Sequence, residues 1–298
     1  MITRQTLLNN IKEHFIKAGL DNPASHARTC LSYALNISAS QLIAFPEERV
    51  EQAKQDEVLK IAKRMSAHEP FAYITGTREF WGRDFDVSPA TLIPRHDTET
   101  LIQKVLSIHS DSTQAFKILD LGTGSGCVLL TLLAEYPNAQ GLGIDISDDA
   151  LEIAKKNAQR LNLVDRVQWL KSEWLQALSN NQAKKHTQFD IIVSNPPYIP
   201  SADITHLDQT VRDYEPLTAL DGGNSGLDAY RVMIPQALEY LIENGVFACE
   251  IGIGQAQAVE QLCHENGLIT FAPLHDLSGT VRVVGGTKNM LGFSYKTR

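Results

Sequence analysis

Short apolar segments alternate with amphipathic segments along the chain from about residue 116 onward. The apolar segments are predicted as strands, at residues 117–121, 141–144, 167–170, 190–194, 245–251, 268–271 and 281–284. The amphipathic segments are predicted as helices, at residues 125–136, 148–161 and 227–243. Such alternation predicts an α/β fold with a mostly parallel, doubly wound sheet and helices on both faces. Ligands of such sheets bind at the carboxyl ends of the strands.

Residues 1–75 carry a different pattern, in which apolar residues recur at helical spacing without a strand signal. An apolar row at residues 7–15 predicts an amphipathic helix. Asn22 before Pro23 predicts the capped start of a second helix. Ser40 is the predicted cap of a short third helix. The region is therefore predicted to be a small helical domain.

Residues 76–96 lie between these two regions. They place Phe80 and Phe85 around Gly82 and end among prolines, which predicts a hairpin. We interpret this segment as a hairpin linker between domains. Residues 97–298 then form the α/β domain.

The charge and the cysteine content disfavour several classes of protein. A formal net charge of -8 repels phosphate backbones over the surface as a whole, so no direct nucleic-acid binding is expected. The four cysteines include no C-x-x-C pair, so reduced, buried thiols and no metal site are predicted. The sequence shows neither a signal peptide nor an apolar run of about 20 residues, so a cytoplasmic protein without membrane spans is expected.

A glycine-rich loop joins the first predicted strand of the sheet to its helix, and it reads Asp120-Leu121-Gly122-Thr123-Gly124-Ser125-Gly126. Glycines permit a sharp turn and a close approach of the backbone to a ligand. Asp145 ends the next strand, where an acid can accept hydrogen bonds from ribose hydroxyls. Cys127 holds the place of the third glycine of a dinucleotide loop, which disfavours NAD. The G-x-G-x-G order instead resembles class I methyltransferases, which bind S-adenosylmethionine; a tight turn without a ligand is the alternative.

The tetrapeptide Asn195-Pro196-Pro197-Tyr198 directly follows the strand predicted at residues 190–194. Its prolines lack backbone donors, so the Asn195 carboxamide oxygen and the Pro196 carbonyl make the segment rich in acceptors. Two acceptors can hold the N–H bonds of a planar amide or amino group and stabilise the positive charge that develops as its nitrogen reacts. Tyr198 offers an aromatic face for stacking. The motif therefore predicts methyl transfer to such a nitrogen.

Together these motifs resemble the HemK-type methyltransferases, which modify a glutamine side chain of class-1 peptide-chain release factors. The resemblance covers nearly the whole chain and includes five further segments. They read EPFAYITG at 69–76, REFWG at 78–82, LIPR at 92–95, DTE at 97–99 and EPL at 215–217.

The resemblance implies a class I methyltransferase fold, Rossmann-like, and a small N-terminal helical domain that we expect to recognise the release factor. It implies S-adenosylmethionine as the cofactor, bound by residues 122–126, Asp145, Trp174 and Asn195. The target glutamine is expected at residues 195–198. On the residues alone, Trp174 could equally be a core residue, because aromatic side chains usually serve packing.

Two positions depart from the family pattern. His96 stands where the family usually has proline, and residues 276–282 match an arginine-containing C-terminal segment only weakly. We expect His96 to change local stiffness, with a role in proton transfer as the alternative. For the whole protein, the alternative is an N6-adenine methyltransferase of DNA or RNA, which would use residues 195–198 on a flipped base but needs a basic groove.

Overall fold

The computed structural model describes residues 1–179 and 187–288. The helices in these ranges are α1 Arg4–Lys17, α2 Pro23–Leu35, α3 Ala39–Ala44, α4 Gln52–Ser66, α5 Phe71–Thr75, α6 Glu99–Ile108, α7 Cys127–Glu135, α8 Asp148–Arg160, α9 Gln176–Ser179, α10 Gln209–Arg212, α11 Asp228–Tyr240 and α12 Ala256–Glu265. The strands are β1 Thr77–Phe80, β2 Arg83–Asp86, β3 Lys117–Leu121, β4 Gln140–Asp145, β5 Val167–Lys171, β6 Phe189–Ser194, β7 Leu241–Glu250, β8 Leu268–Thr270, β9 Leu274–His275 and β10 Val281–Lys288.

The chain divides into two compact units. The first contains Met1–Thr75 and Gln209–Tyr214, and the second contains Gly76–Asp208 and Glu215–Arg298. The sequence analysis placed residues 209–214 with the α/β domain. In the structure the Tyr214 hydroxyl donates to the Ala67 carbonyl, and the segment belongs to the helical unit.

The first unit is a helical bundle around one apolar core. The apolar row of α1 is buried there, with Phe15 fully enclosed. One predicted cap is confirmed and one is wrong. Asn22 is the N-cap of α2 and Pro23 follows it at the first helical position, although the left-handed backbone of Asn22 leaves its side chain without a cap hydrogen bond. Ser38, and not Ser40, caps α3: its hydroxyl accepts from the Gln41 N–H while the Gln41 side chain accepts from the Ser38 N–H, a reciprocal capping box.

The second unit is built on a sheet that has eight strands in the described residues, in the order β5-β4-β3-β6-β7-β10-β8, with β9 paired to β10. Strands β5, β4, β3, β6 and β7 run parallel, and β10 is antiparallel to β7. The predicted mostly parallel sheet is confirmed. The strand order reverses between β3 and β6, so a crevice is expected at the carboxyl ends of these two strands.

Alternate residues of the strands enter two separate cores, one on each face of the sheet. Ile118 and Ile191 join α6 and α7 on one face, whereas Leu119 and Ile192 join α11 and α12 on the other. This alternation follows from the period of two in a strand. Because both faces are covered, the strands are apolar throughout, as buried parallel strands usually are.

The hairpin formed by β1 and β2 packs inside the second unit. Phe80 and Phe85 are fully buried in the core of α6 and α7, and their rings meet edge to face with centroids 6.1 Å apart. Asn157 on α8 exchanges hydrogen bonds with the backbone of Asp86. The segment that the sequence analysis treated as a linker is therefore an integral part of this unit, because its two aromatic rings need an apolar environment.

The indole of Trp169 in β5 explains the presence of a glycine, Gly143, at the neighbouring position of β4. Gly143 is the register partner of Trp169, and a Cβ on Gly143 would lie 2.4 Å from the indole. The same indole lies 3.2 Å from where a Cβ of Gly126 would be. The indole therefore supports both β4 and the end of the glycine-rich loop.

We predict that Gly143→Ala destabilises the protein by about 1–3 kcal/mol, because overpacking forces the indole or the strand to move. Urea denaturation measures the change in the free energy of unfolding. In a Trp169→Leu background the additional cost of the alanine should shrink. An equal cost in both backgrounds would contradict this account of the glycine.

Candidate active site

A cavity of about 460 Å³ lies in the second unit, at the carboxyl ends of β3, β4 and β6. It is lined by most of the residues singled out from the sequence, namely Gly122, Thr123, Gly124, Ser125, Asp145, Trp174, Asn195 and Pro197. Gly126, Pro196 and Tyr198 complete the two motifs and do not themselves line the cavity. Parallel pairing explains this convergence, since loops that follow neighbouring parallel strands emerge at the same edge.

The glycine-rich loop is fastened to the end of β4 by its backbone. The N–H groups of Gly122 and Thr123 both donate to the Ile144 carbonyl at 2.9 Å. The Gly124 N–H donates to a carboxylate oxygen of Asp145 at 2.8 Å. Gly122, Gly124 and Gly126 all have left-handed backbones, with φ of 70°, 54° and 79°, which residues with a Cβ adopt only with strain.

Asp145 holds the loop and also faces the cavity. One of its oxygens accepts from Gly124 and the other from the Ser147 N–H at 2.9 Å. Burial raises the pKa of this carboxyl, and the backbone hydrogen bonds oppose that rise. Each carboxylate oxygen has two lone pairs. The group can therefore keep these backbone bonds and still accept hydrogen bonds from ligand hydroxyls.

Asp120 is a second acid in the cavity wall, and the sequence analysis did not assign it a role. It is almost fully buried and accepts a hydrogen bond from the Thr123 hydroxyl at 2.7 Å. Burial raises the pKa of Asp120 to about 7, with the nearby charge of Asp145 acting in the same direction. An acid near the end of a buried strand, two residues before the first glycine of the loop, was the available signal. Its position suits a cationic ligand group, because an opposite charge offsets the cost of burial.

Asn195 is oriented by a neighbour that the sequence analysis did not single out. Its Nδ2 donates to the hydroxyl of Thr98 at 3.1 Å. Thr98 is buried in the 3-10 turn His96–Thr98 and also lines the cavity. Because the amide nitrogen is engaged, the carboxamide oxygen of Asn195 remains as an acceptor. Thr98 falls within the DTE segment at 97–99, so a motif marked its position but not its function.

Tyr198 is half-buried and does not line the cavity. Its hydroxyl donates to the carboxylate of Glu250 at 3.2 Å, and its ring packs against the core of α11 and α12. Burial raises the pKa of the Tyr198 phenol above its usual range, and the adjacent carboxylate adds to the rise. The aromatic ring that was expected to stack on the substrate amide therefore packs against this core and does not line the cavity.

Two further segments, residues 92–95 and 215–219, lie at the cavity, and Glu215 links the two segments. Its buried carboxylate forms an ion pair with Arg95 and accepts from the Ile93 N–H at 3.1 Å. Residues of both segments contribute to the cavity wall, namely Leu92, Pro94, Arg95 and residues 216–219. The sequence analysis recognised both segments as motifs of the family, and the ion pair between Arg95 and Glu215 shows that they pack together in the structure.

Of the two residues whose roles the sequence left open, Trp174 lies at the cavity and His96 does not. Trp174 lines the cavity while it also packs against the second core, so the two interpretations of this residue are compatible. His96 is exposed, approaches Glu99 at 3.3 Å and does not line the cavity.

In the described ranges no cluster of three or more His, Cys, Asp or Glu side chains could hold a metal. No described helix is both long and apolar enough to cross a membrane.

The chain matches two family models. Residues 112–283 match a methyltransferase domain, and residues 6–76 match the PrmC N-terminal domain. The release factor glutamine methyltransferase of Bradyrhizobium diazoefficiens is 43% identical over 96% of this chain and 93% of its own. That of Caulobacter vibrioides is 39% identical over 94% of each chain. A solved 16S rRNA N2 G1207 methyltransferase of T. thermophilus, in complex with AdoMet and guanosine, shares the fold. It has a TM-score of 0.50 and 20% identity, covering 72% of this chain and 50% of that one.

We predict that Asp145→Ala weakens S-adenosylmethionine binding by about 1–3 kcal/mol, because hydrogen-bonding groups of the ligand and the loop lose their partner. Calorimetry with S-adenosylmethionine and, in parallel, NAD gives the two affinities. The matched control is Asp149→Ala, which removes an exposed acid from the first turn of the following helix, α8, and this variant should bind normally. Tight binding of NAD with no response to S-adenosylmethionine would overturn the assignment of this cavity.

Proposed function

Because the chain belongs to the family of release factor glutamine methyltransferases, we propose that the cavity at the ends of β3, β4 and β6 is its catalytic site. The protein transfers a methyl group from S-adenosylmethionine to the side-chain amide nitrogen of a glutamine in class-1 release factors. The observation that carries the assignment of the site is the orientation of Asn195. Its amide nitrogen is bound to Thr98, so its oxygen is free to accept, at the edge of a cavity that the glycine-rich loop also lines.

The cavity suits S-adenosylmethionine by the charges of its wall. Two carboxyl groups, Asp120 and Asp145, lie beside the glycine-rich loop, where they would attract a cationic amino acid end and accept from ribose hydroxyls. Asp120, which is hydrogen-bonded to Thr123 of the loop, would repel the pyrophosphate of a dinucleotide. Trp174 and Ile144 supply apolar surface for the base. S-adenosylmethionine, when bound, supplies an electrophilic methyl group on a sulfonium.

The residues of the tetrapeptide solve the problem of a weak nucleophile. An amide nitrogen is a poor nucleophile because its lone pair is delocalised. The Asn195 oxygen, in the cavity wall, accepts from one N–H bond of the glutamine. The carbonyl of Pro196, whose neighbours on both sides line the cavity, is the proposed acceptor for the other N–H bond, and the two acceptors together keep the face of the amide toward the methyl group. As the nitrogen–carbon bond forms and the sulfur–carbon bond breaks, positive charge develops on the nitrogen, and these acceptors stabilise it. The excess N–H proton is then lost to water, which leaves a neutral N-methyl amide.

The alternative of an N6-adenine methyltransferase is not favoured. The relatives with high coverage are protein methyltransferases by name, and the net charge of -8 opposes binding of a phosphate backbone. A protein substrate that works in translation also places this enzyme in the cytoplasm, which we include in the proposal.

The helical unit is the proposed site of release-factor recognition. A single glutamine side chain offers little contact area in a cavity, so affinity must come from remote contacts. The unit contributes nothing to the wall of the cavity, and it exposes large apolar side chains, including Ile43 at 71% and Phe45 at 54%. Exposed apolar residues of this size are typical of interaction surfaces when they cluster.

We predict that Asn195→Ala lowers turnover by about 10²–10³, the usual loss for one preorganised transition-state partner, and leaves most of the cofactor affinity intact. Labelled S-adenosylmethionine, incubated separately with release factor, DNA and ribosomal RNA, gives the substrate class and the single-turnover rate. Gln261→Ala removes a carboxamide from the exposed face of α12 and is the control. Near-normal methylation by the Asn195 variant would show that the site is wrongly assigned.

We further predict that serine at exposed apolar positions of the helical unit weakens recognition of intact release factor. Apart from Met1, which is left unchanged, the five positions are Ile16, Tyr33, Ile43, Phe45 and Leu59. At least one variant should raise KM for release factor several-fold, because about 1 kcal/mol or more is lost when a contact residue is truncated, and kcat should stay constant. Methylation of a short glutamine-containing peptide should not change. If all five variants match the wild type on intact release factor, recognition lies elsewhere.

A further inference from the structure

Glu250 ends β7 as a fully buried carboxyl group next to the catalytic tetrapeptide. It accepts a hydrogen bond from Tyr198, and the hydroxyl of Thr98 is its second hydrogen-bonding neighbour. We propose that Glu250 is a positioning residue that determines which way the carboxamide of Asn195 faces. The inference rests on the proposed function, because it matters only if the Asn195 oxygen receives the reacting nitrogen.

The contacts form a chain from Asn195 to Glu250. The Nδ2 of Asn195 donates to Thr98 Oγ1 at 3.1 Å, and Thr98 in turn faces the carboxylate. The backbone carbonyl of Glu250 accepts from the Tyr230 hydroxyl at 2.9 Å, which fixes the end of the strand. The Oε2 atom of Glu250 is buried without a close hydrogen-bond partner among the described residues. The Thr98 contact is therefore loose, and Oε2 keeps capacity to accept.

The direction of each hydrogen bond in this chain follows from the chemistry of its members. An ionised carboxylate only accepts, and a threonine hydroxyl has a single hydrogen to give. If Thr98 gives that hydrogen to Glu250, it can only accept from Asn195. The NH2 group of Asn195 must then face Thr98, and its oxygen must face the cavity. A carboxamide is otherwise nearly symmetric in shape and could turn over at little steric cost.

A donor in place of the carboxylate would remove this constraint. A protonated Glu250, or a glutamine at this position, can donate to Thr98. Thr98 would then be free to donate to the oxygen of Asn195, and the carboxamide would turn its NH2 toward the reacting nitrogen. Two donors would face each other, and the developing positive charge would lose an acceptor.

The protonation of Glu250 is sensitive to its surroundings near neutral pH. Burial raises its pKa to about 7, while hydrogen bonds from Thr98 and Tyr198 and the charge of Arg282 oppose the rise. The titratable or charged groups around it are Asp97, Cys127, Tyr198, Tyr230, Cys249 and Arg282. Arg282 is shared with Asp97 at 2.8 Å and Asp276 at 2.9 Å, which reduces the charge that it offers to Glu250. Since the ionised form is the active one, kcat should rise as the pH increases through the pKa of Glu250.

The test is Glu250→Gln in the full-length enzyme, with release factor as the substrate. Glutamine conserves the size of the side chain and can still accept from Tyr198, but it presents a donor to Thr98. We expect kcat to fall roughly ten- to hundredfold, less than the loss of the whole acceptor, with KM and the cofactor affinity little changed. The rise of kcat with pH near neutrality should be absent in this variant.

The thermal stability of the Glu250→Gln variant distinguishes a positioning role of Glu250 from a purely structural one. At pH 8 the wild-type enzyme must bury a charge that glutamine does not carry, so the variant should unfold at a temperature no lower than the wild type. Thr98→Val removes the hydroxyl and should lower kcat to a similar degree, whereas Thr98→Ser should lose much less. The double variant Glu250→Gln/Thr98→Val should be no slower than the slower single variant, because both changes break the same chain.

Two outcomes would overturn the inference. One is a Glu250→Gln enzyme with wild-type kcat and the same dependence on pH. The other is a double variant whose losses multiply. If Asn195→Ala is inactive while Glu250→Gln is normal, only this inference fails. If Asn195→Ala is itself fully active, the proposed site fails with it.

Discussion

The backbone clamp between the glycine-rich loop and the end of β4 is the constraint on which the site depends. Ile144 accepts from two consecutive N–H groups of the loop, and Asp145 accepts from a third. These bonds require left-handed residues in the loop, so glycine is needed there. The clamp fixes the start of α7 and places Asp120 and Asp145 on one wall. The indole of Trp169 packs against Gly126 at the end of the loop, and the same indole leaves no room for a side chain at residue 143 in β4.

A second constraint is the burial of polar groups behind the tetrapeptide. Glu250 is surrounded by Thr98, Tyr198 and Arg282, which come from three different parts of the chain. A buried carboxyl group is costly unless such partners surround it. The arrangement ties β7 to the 3-10 turn before α6 and to the loop after β6. Rigid support of this kind is what a site needs when its chemistry relies on orientation rather than on a strong base.

The sequence allowed the sheet, the loop and the tetrapeptide to be predicted because each has a local signal. Strand–helix alternation and glycine spacing are read within one segment, and the resemblance added the functional assignment. The local prediction that was wrong concerns the cap of α3. Ser40 has a suitable side chain, but the capping box belongs to Ser38. Asn22 is the N-cap that was predicted, yet its left-handed backbone leaves its side chain without a cap bond. Cap geometry depends on how the chain enters the helix, and composition alone does not specify it.

By itself the sequence determined the fold class, since strand–helix alternation follows from residue types at local spacing, and its resemblance to a known family supplied the cofactor and the glutamine substrate. Only the tertiary structure decided which neighbours complete the site. Thr98 and Asn195 are 97 residues apart, and Tyr198 and Glu250 are 52 residues apart. No periodicity links such positions. Parallel pairing of β6 with β7 brings Tyr198 to Glu250, and the position of the 3-10 turn before α6 brings Thr98 to Asn195. The direction in which Asn195 faces is therefore a property of the folded sheet, because its donor and acceptor partners exist only after the strands have paired.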